Sequence, residues 1–207
     1  MLFNKRKVKQ IPWNKGKLIG QKLPLKPEQI WAIRIHLEMD GKVRDLALFN
    51  LALDSKLRGC DLVKLTVKDV SIGNEIRARS SVIQQKTKQP VKFEITPKTQ
   101  KALTNWISRA GLRSVDYLFP SCIYRDNHIT AQQYARIVNR WVECIGLDKS
   151  AYGTHSLRRT KASIIYKQTK NLRAIQILLG HSKLESTVRY LGVEIDDALE
   201  LSEHIEI

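Results

Sequence analysis

The chain has 207 residues, of which 43 % are hydrophobic, so it can close one substantial core but is short for two full domains. Its 36 lysines and arginines against 20 acids give a net charge of +16, which favours a polyanionic partner such as nucleic acid. Three cysteines without CxxC spacing argue against a disulfide framework or a zinc site, and no stretch approaches the roughly 18 apolar residues of a membrane span. We therefore expect a cytoplasmic protein that contacts no membrane.

The positive charge is concentrated in part of the chain. Residues 1–26 carry eight basic side chains and no acid, and we expect residues 1–23 to form a basic N-terminal arm. Without DNA, that arm is equally compatible with a disordered segment. Residues 194–207 carry six acids and no lysine or arginine, so this tail is poorly suited to touch DNA. The uneven distribution argues against a charge that serves solubility alone.

Apolar residues at helical spacing predict two helices after the arm. The first begins near Pro27 and ends at Gly41, and the second spans residues 46–53. A short turn at residues 57–59, which contains Arg58, precedes a further apolar segment.

The middle of the chain predicts a β-hairpin followed by more helices. Residues 74–84 and 91–95 are strand-like and are separated by a polar turn with lysines at its tip. Pro97 opens the next helix and Thr130 caps another. Three further helices are predicted over residues 155–168, 172–179 and 184–191. The predicted fold class is mainly α with a small antiparallel β-hairpin.

Two short strings near the C-terminus carry residues suited to phosphate chemistry. His155 and Arg158 stand three residues apart in the first turn of a helix, where backbone N–H groups favour an anion. The next helix ends in Gly180, which aims His181 off its terminus, and Tyr190 follows nine residues later. Taken separately, a solvated His/Arg face, a helix-terminal histidine and a half-buried core tyrosine explain these residues better.

Taken together and in this order, the strings resemble the C-terminal signature of the tyrosine recombinase (phage integrase) family, which runs H-x-x-R, L-G-H and then a nucleophilic tyrosine. The segment 57–62 around Arg58 is similar to the first-arginine motif of that family, and the lysine-tipped hairpin stands where the family keeps its catalytic lysine. The resemblance implies the tyrosine recombinase catalytic-domain fold, of the DNA breaking-rejoining type, for residues 24–192. Acids alternate with apolar residues from Glu194 onward, a pattern consistent with an amphipathic helix, and the resemblance implies that residues 193–207 serve as a tail for subunit docking.

The resemblance implies a site-specific recombinase or integrase of mobile DNA. Arg58 and Arg158 then brace the non-bridging oxygens of the scissile phosphate, because a phosphorane accumulates negative charge that guanidinium donors neutralise. His155 and His181 hydrogen-bond the phosphate and assist proton movement. Tyr190 attacks phosphorus and becomes linked to the DNA as a 3′-phosphotyrosine.

A lysine of the hairpin is implied as the general acid that protonates the departing 5′-oxygen. Residues 86–88 fit the S/T-K-T-like turn of the family in either of two registers, and Lys86 is preferred to Lys88. No G-x-x-x-x-G-K-[ST] loop and no carboxylate pattern for two metals is evident in the sequence. We expect catalysis without metal, ATP or other cofactor.

The sequence departs from the family pattern in two respects. Asp61 stands where the family more often has glutamate, and the unusual pair Gly59-Cys60 precedes it. In addition, most members have a separate helical domain that completes a clamp around DNA, and we expect the first 26 residues to be too few to supply it.

The expected partners are double-stranded DNA at the nucleoid, further copies of the chain and accessory DNA-binding proteins. The resemblance implies a tetramer on two DNA sites, joined by exchange of the tail between neighbours, with a monomer as the free form. A tail packed on its own domain is the alternative.

Three other functions compete with recombination. A type IB topoisomerase has the same set of catalytic residues, but the compact motif spacing and the small size favour a recombinase. A non-enzymatic helix-turn-helix repressor built around Gly180 leaves Arg58 and Tyr190 without a reason. Hydrolysis by a cysteine nucleophile lacks a glycine elbow and a paired histidine.

Overall fold

The computed structural model describes residues 21–124, 126–191 and 203, and within these the chain is mainly helical. The helices are α1 Pro27–Met39, α2 Val43–Ser55, α3 Gly59–Leu62, α4 Val67–Val70, α5 Pro97–Ala110, α6 Ala131–Glu143, α7 Thr154–Thr169, α8 Leu172–Leu179 and α9 Leu184–Leu191. The strands are β1 Ser71–Ile72, β2 Glu75–Ile76, β3 Arg79–Ile83 and β4 Pro90–Glu94. The predicted class, mainly α with a small antiparallel hairpin, is confirmed. No helix in these described ranges is both long and apolar enough to cross a membrane.

The predicted continuous strand over residues 74–84 is wrong, because the chain changes partner within it. Its first part, β2, pairs antiparallel with β1, whereas β3 pairs antiparallel with β4. The change occurs between two adjacent residues: the Arg77 N–H donates to the Val70 carbonyl, and the Ala78 carbonyl accepts from the Ile95 N–H. The hairpin of β3 and β4 with its lysine-bearing loop is present as predicted.

The main hydrophobic core is built around α2. Residues 47–55 of this helix are all buried, and α1, α5 and α7 pack against it. The α6 helix closes another side, where the Trp141 ring meets Phe49 edge-on with centroids 5.4 Å apart. A helix covered on all sides carries apolar residues around its whole circumference, as this one does.

A second, smaller apolar cluster joins the last three helices. Ala162 and Tyr166 of α7 are buried together with Ile175 and Leu179 of α8, and Tyr190 of α9 packs against them. This cluster packs α9 against α7 and α8, and the Tyr190 hydroxyl reaches the His155 carbonyl near the start of α7, so the two C-terminal strings of the sequence come together in space.

The predicted arm and tail fall largely outside the described residues. Of the arm, residues 21–23 are described, and they lie against the body of the protein. The Gln21 side chain donates to the Arg189 carbonyl at 2.7 Å, and the Leu23 N–H donates to the Ala151 carbonyl at 3.0 Å. Of the tail, the description includes residue 203 alone.

Candidate active site

The two predicted arginines are held in fixed positions by polar groups from different elements. Arg158, in the second turn of α7, is 3 % exposed. Its Nη1 donates to the Lys56 carbonyl at 2.5 Å and its Nη2 donates to the Leu179 carbonyl at 2.6 Å. Arg58 precedes α3, and its Nη1 donates to the Gln84 side-chain oxygen. Both guanidiniums are thus oriented before any ligand arrives.

Tyr190 lies in the same cleft and belongs to the same chain. The Arg158 Cζ atom is 5.9 Å from the centroid of the Tyr190 ring, and the Arg159 Cζ atom is 5.3 Å from it. The His181 ring meets Tyr190 edge-on with centroids 5.3 Å apart. The phenol hydroxyl donates a long hydrogen bond of 3.5 Å to the carbonyl of His155. Tyr190 therefore lies beside the arginines in the folded chain.

Both histidines have lowered pKa values. Burial, together with the positive charges of Arg158 and Arg58, lowers the pKa of His181 to about 4. Burial first, and then the charges of Arg158 and other nearby cations, lower the pKa of His155. A base surrounded by cations is harder to protonate, so both imidazoles are neutral at physiological pH. His181 Nδ1 lies 3.1 Å from the Thr187 hydroxyl, which holds the ring in place.

The phenol of Tyr190 is protonated at neutral pH. Burial raises its pKa to about 12, and the charges of Arg158 and Arg159 offset part of that rise. An attack by this oxygen therefore requires a base that removes its proton. The neutral imidazoles in the cleft are groups of the right kind.

Lys86 lies in the loop between β3 and β4 and is exposed. Its positive charge contributes to the lowered pKa of His155, after burial and the charges of three arginines. Lys88 is also exposed and adopts a left-handed backbone conformation with φ +56°. An open cavity of about 490 Å³ separates this loop from the turn between α8 and α9, lined by Thr87, Gln89, Gly180, His181 and Ser182.

A partly buried cluster of charges, which the sequence did not reveal, supports the Arg158 position. Lys56 is fully buried with φ +53°, and its Nζ lies 2.8 Å from Glu94 Oε1. Lys161 Nζ lies 2.7 Å from the same oxygen and 2.6 Å from Asp54 Oδ1. Buried charges are tolerated when they are paired in this way. The cluster fixes the Lys56 backbone, whose carbonyl accepts the bond from Arg158.

Gly180 allows the turn after α8 to approach the hairpin closely. Its φ of +62° lies in the left-handed region, and a Cβ atom there would come within 2.4 Å of Val91 Cγ2. Glycine therefore satisfies both the backbone conformation and the lack of space. The prediction that Gly180 ends a helix and directs His181 into a cleft agrees with this geometry.

The structure brings together five of the six predicted side chains around one cleft and places Lys86 on the loop at its edge. Arg159, which the sequence interpretation passed over, also contacts Tyr190, although it stands within the quoted string beside Arg158. Across the described ranges, no group of three or more histidine, cysteine, aspartate or glutamate side chains is arranged to hold a metal ion.

Comparisons with known proteins agree with this arrangement. The model of the phage integrase family matches residues 25–195. The "Probable integrase/recombinase YoeC" of Bacillus subtilis (strain 168) is 31 % identical over 169 residues, which cover 82 % of this chain and 88 % of that protein. A "Tyrosine recombinase" of Pseudothermotoga lettingae is 33 % identical over 150 residues, 72 % of this chain. The chain spans only 50 % of that second relative.

A solved structure shows the same fold. The XerH site-specific recombinase bound to its difH substrate, in a pre-cleavage complex, superposes with a TM-score of 0.69 at 20 % identity. The superposition covers 88 % of this chain and 55 % of that one. At this identity the likeness concerns the fold alone.

Proposed function

This chain belongs to the phage integrase family of tyrosine recombinases, and we propose that it cleaves and rejoins double-stranded DNA at specific sites through a 3′-phosphotyrosine intermediate. The observation that carries the proposal is the position of the Tyr190 ring, within 5.9 Å of the Arg158 guanidinium carbon in the same chain. A DNA-binding repressor would have no use for a tyrosine packed against two arginines. The comparisons favour a recombinase over a type IB topoisomerase and over a helix-turn-helix repressor.

In the proposed reaction, Arg58 and Arg158 bind the non-bridging oxygens of the scissile phosphate. The Tyr190 oxygen attacks phosphorus, and a bond from phosphorus to the tyrosine forms as the bond to the 5′-oxygen breaks. The phenol proton passes to a neutral imidazole in the cleft, His155 or His181. The arginines neutralise the charge that develops on the phosphorane, which makes a metal ion unnecessary.

The departing 5′-oxygen needs a proton, and we propose that Lys86 rather than Lys88 donates it. The support is electrostatic: the positive charge of Lys86 contributes to the lowered pKa of His155. The released 5′-hydroxyl of another strand then attacks the phosphotyrosine, which restores the phosphodiester and the free phenol. Because each step exchanges one phosphate ester for another, no ATP is consumed.

We further propose the division of the chain into a DNA-binding arm, residues 1–23, a catalytic domain, residues 24–192, and a docking tail, residues 193–207. The active form is a tetramer on two DNA sites, formed by exchange of the tails, and it works in the cytoplasm at the nucleoid with accessory proteins. Deletion of residues 194–207 is expected to weaken assembly on DNA in a mobility-shift assay. Unchanged assembly would remove tail exchange from this proposal.

The test of the catalytic assignment is a covalent adduct. The protein is incubated with a pool of labelled, nicked duplexes of randomised sequence, in which the nick lets a short 5′-hydroxyl fragment diffuse away after cleavage. Adducts that resist denaturation are isolated, and their DNA is sequenced to identify the target. Wild-type protein is expected to form adducts, whereas Tyr190→Phe forms none and still binds the duplex.

The matched control is Tyr124→Phe, which removes the hydroxyl of a tyrosine that is 68 % exposed. This variant is expected to form adducts at the wild-type rate. An adduct that persists in Tyr190→Phe would show that the nucleophile is assigned wrongly, and a wild type that never forms one would overturn the proposed activity.

A further inference from the structure

Gln84 is a fully buried amide at the point where β3 enters the lysine-bearing loop. Its side-chain oxygen accepts hydrogen bonds from Arg58 Nη1 and, at 2.9 Å, from the Thr87 hydroxyl. Its side-chain nitrogen donates to the Leu179 carbonyl at 3.3 Å. One neutral side chain thus contacts three separate parts of the cleft.

The Leu179 contact extends this connection to the second arginine. The carbonyl that accepts from Gln84 also accepts from Arg158 Nη2, at 2.6 Å. Arg58 and Arg158 therefore share a link of two groups, the Gln84 amide and the Leu179 carbonyl. A buried polar group that loses its hydrogen-bond partner is strongly disfavoured, so the bonds to the Gln84 amide and to the Leu179 carbonyl hold the two arginines in position.

The backbone of Gln84 closes the loop that carries the lysine. The Lys88 N–H donates to the Gln84 carbonyl at 2.8 Å, and the Gln84 N–H donates to the Gln89 carbonyl at 3.0 Å. Thr87, which donates to the Gln84 side chain, is the direct neighbour of Lys86. The loop is therefore fastened to the same amide that orients Arg58.

Glutamine has the functional groups and length that this position requires. A carboxylate at this position would pair with Arg58 and compete with a phosphate for it, and it has no N–H for the Leu179 carbonyl. Space is also limited, since a Cβ atom at Gly180 would lie 3.2 Å from the Gln84 nitrogen. The amide is thus neutral, serves as donor and acceptor at once, and is packed tightly.

We propose that Gln84 is a positioning residue that sets Arg58, Arg158 and the Lys86 loop in a fixed arrangement around the scissile phosphate. This inference rests on the proposed recombinase function. It assigns Gln84 no contact with DNA or with the reacting atoms; it acts through the residues that make those contacts.

The test compares two substitutions at adjacent glutamines. Gln84→Met keeps the length of the side chain and removes the amide. Gln85→Met is the matched control, because Gln85 bonds to the Cys60 carbonyl and to Lys64 but not to either arginine. Single-turnover adduct formation is measured on two substrates with the identified target: one with the ordinary phosphodiester, and one with sulfur in place of the bridging 5′-oxygen. Thiolate is a good leaving group that needs no proton, so the second substrate bypasses the lysine.

Gln84→Met is expected to slow cleavage of the ordinary substrate by about 100-fold, because misplacing catalytic groups by about 1 Å has effects of that order. Sulfur substitution should restore part of the rate, and the remaining defect reports on the arginines. Thr87→Val, which removes the bond to the loop alone, should lose roughly 10-fold and be restored fully by sulfur. DNA binding by the variants should change little, so the loss lies in the rate of the chemical step.

Wild-type rates in Gln84→Met, or equal losses in both methionine variants, would overturn the positioning role. Amide hydrogen exchange in residues 84–89, measured by mass spectrometry, does not depend on catalysis. It therefore distinguishes a failure of the positioning role from a failure of the proposed recombinase function. Gln84→Met is expected to accelerate exchange there while Gln85→Met has little effect. If residues 84–89 of Gln84→Met exchange at the wild-type rate, the positioning role is wrong, whatever the result of the adduct assay.

Discussion

Replacing Gly180 by alanine tests whether the close approach of the α8–α9 turn to the hairpin stabilises the fold around the site. Alanine at φ +62° is strained by about 1–2 kcal/mol, the penalty for an L-residue in the left-handed region. The new Cβ atom also comes within 2.4 Å of Val91 Cγ2, and overpacking of this kind costs about 1–3 kcal/mol more. The expected loss in the free energy of unfolding is therefore about 2–5 kcal/mol.

Gly111→Ala is the matched control for this substitution. Gly111 also follows a helix and has the same φ of +62°, and among the described residues no atom beyond its chain neighbours would lie within 4 Å of a Cβ there. Its replacement should cost the backbone strain alone, about 1–2 kcal/mol. Urea unfolding of both variants, followed by circular dichroism, measures the difference by linear extrapolation.

A double variant isolates the steric clash from the strain. Val91→Ala removes the methyl group that the new Cβ would meet, so Gly180→Ala should cost less in the Val91→Ala background than in wild type. Equal losses for Gly180→Ala and Gly111→Ala, within about 0.5 kcal/mol, together with additivity in the double variant, would refute the clash.

Three further outcomes are expected. The pKa of His181 is about 4 in the folded chain, against an ordinary value of 6.5, so between these pH values the unfolded chain binds one proton more than the folded chain. The free energy of unfolding should therefore fall as the pH drops from 6.5 to 4. His181→Asn should flatten this pH dependence when it is measured by urea unfolding. Glu94→Gln should lower the free energy of unfolding by about 1–3 kcal/mol, because it leaves the fully buried Lys56 without its carboxylate partner. The control is Glu143→Gln, which breaks an exposed pair with Lys149 and should cost less than about 1 kcal/mol. Equal losses for the two variants in thermal or urea unfolding would contradict the burial argument. Duplex DNA affinity of Tyr190→Phe should fall at least about tenfold between about 50 and 200 mM salt in a mobility-shift titration, and a flat response would argue against phosphate contacts by the basic residues.

Local patterns were sufficient to predict most of the helices. Thr130 accepts from the Gln133 N–H as an N-cap, and Gly180 ends α8 in the left-handed conformation, both as their residue types indicate. The strand prediction over residues 74–84 failed because alternation cannot show which neighbour a strand pairs with. Val70 bonds to Arg77 and Ile95 bonds to the adjacent Ala78, so the positions of these two distant partners in space determine the pairing.

Some residues of the candidate site could likewise be predicted from the sequence, and others could not. Arg58, His155, Arg158, His181 and Tyr190 were found because their spacing resembles a family signature. The groups that orient them carry no such signal: Gln84 stands among ordinary strand residues, and Lys56 is one of many lysines in a basic chain. Their roles depend on contacts across long stretches of chain, as between Arg158 and the Lys56 carbonyl, which are 102 residues apart.

Sequence patterns were sufficient for the helical class and for the helix ends at Thr130 and Gly180, and the resemblance to a family supplied the side chains of the proposed chemistry. How those side chains are held is visible in the folded chain alone: by the shared carbonyl of Leu179, the buried Lys56 beside Glu94, and the amide of Gln84 that links the two arginines. The physical reason is that helix propensity, caps and motif spacing act over a few neighbouring residues. Burial and hydrogen-bond partners, in contrast, are set by which distant elements pack together, and these fix the pKa of His181 and the orientation of Arg158.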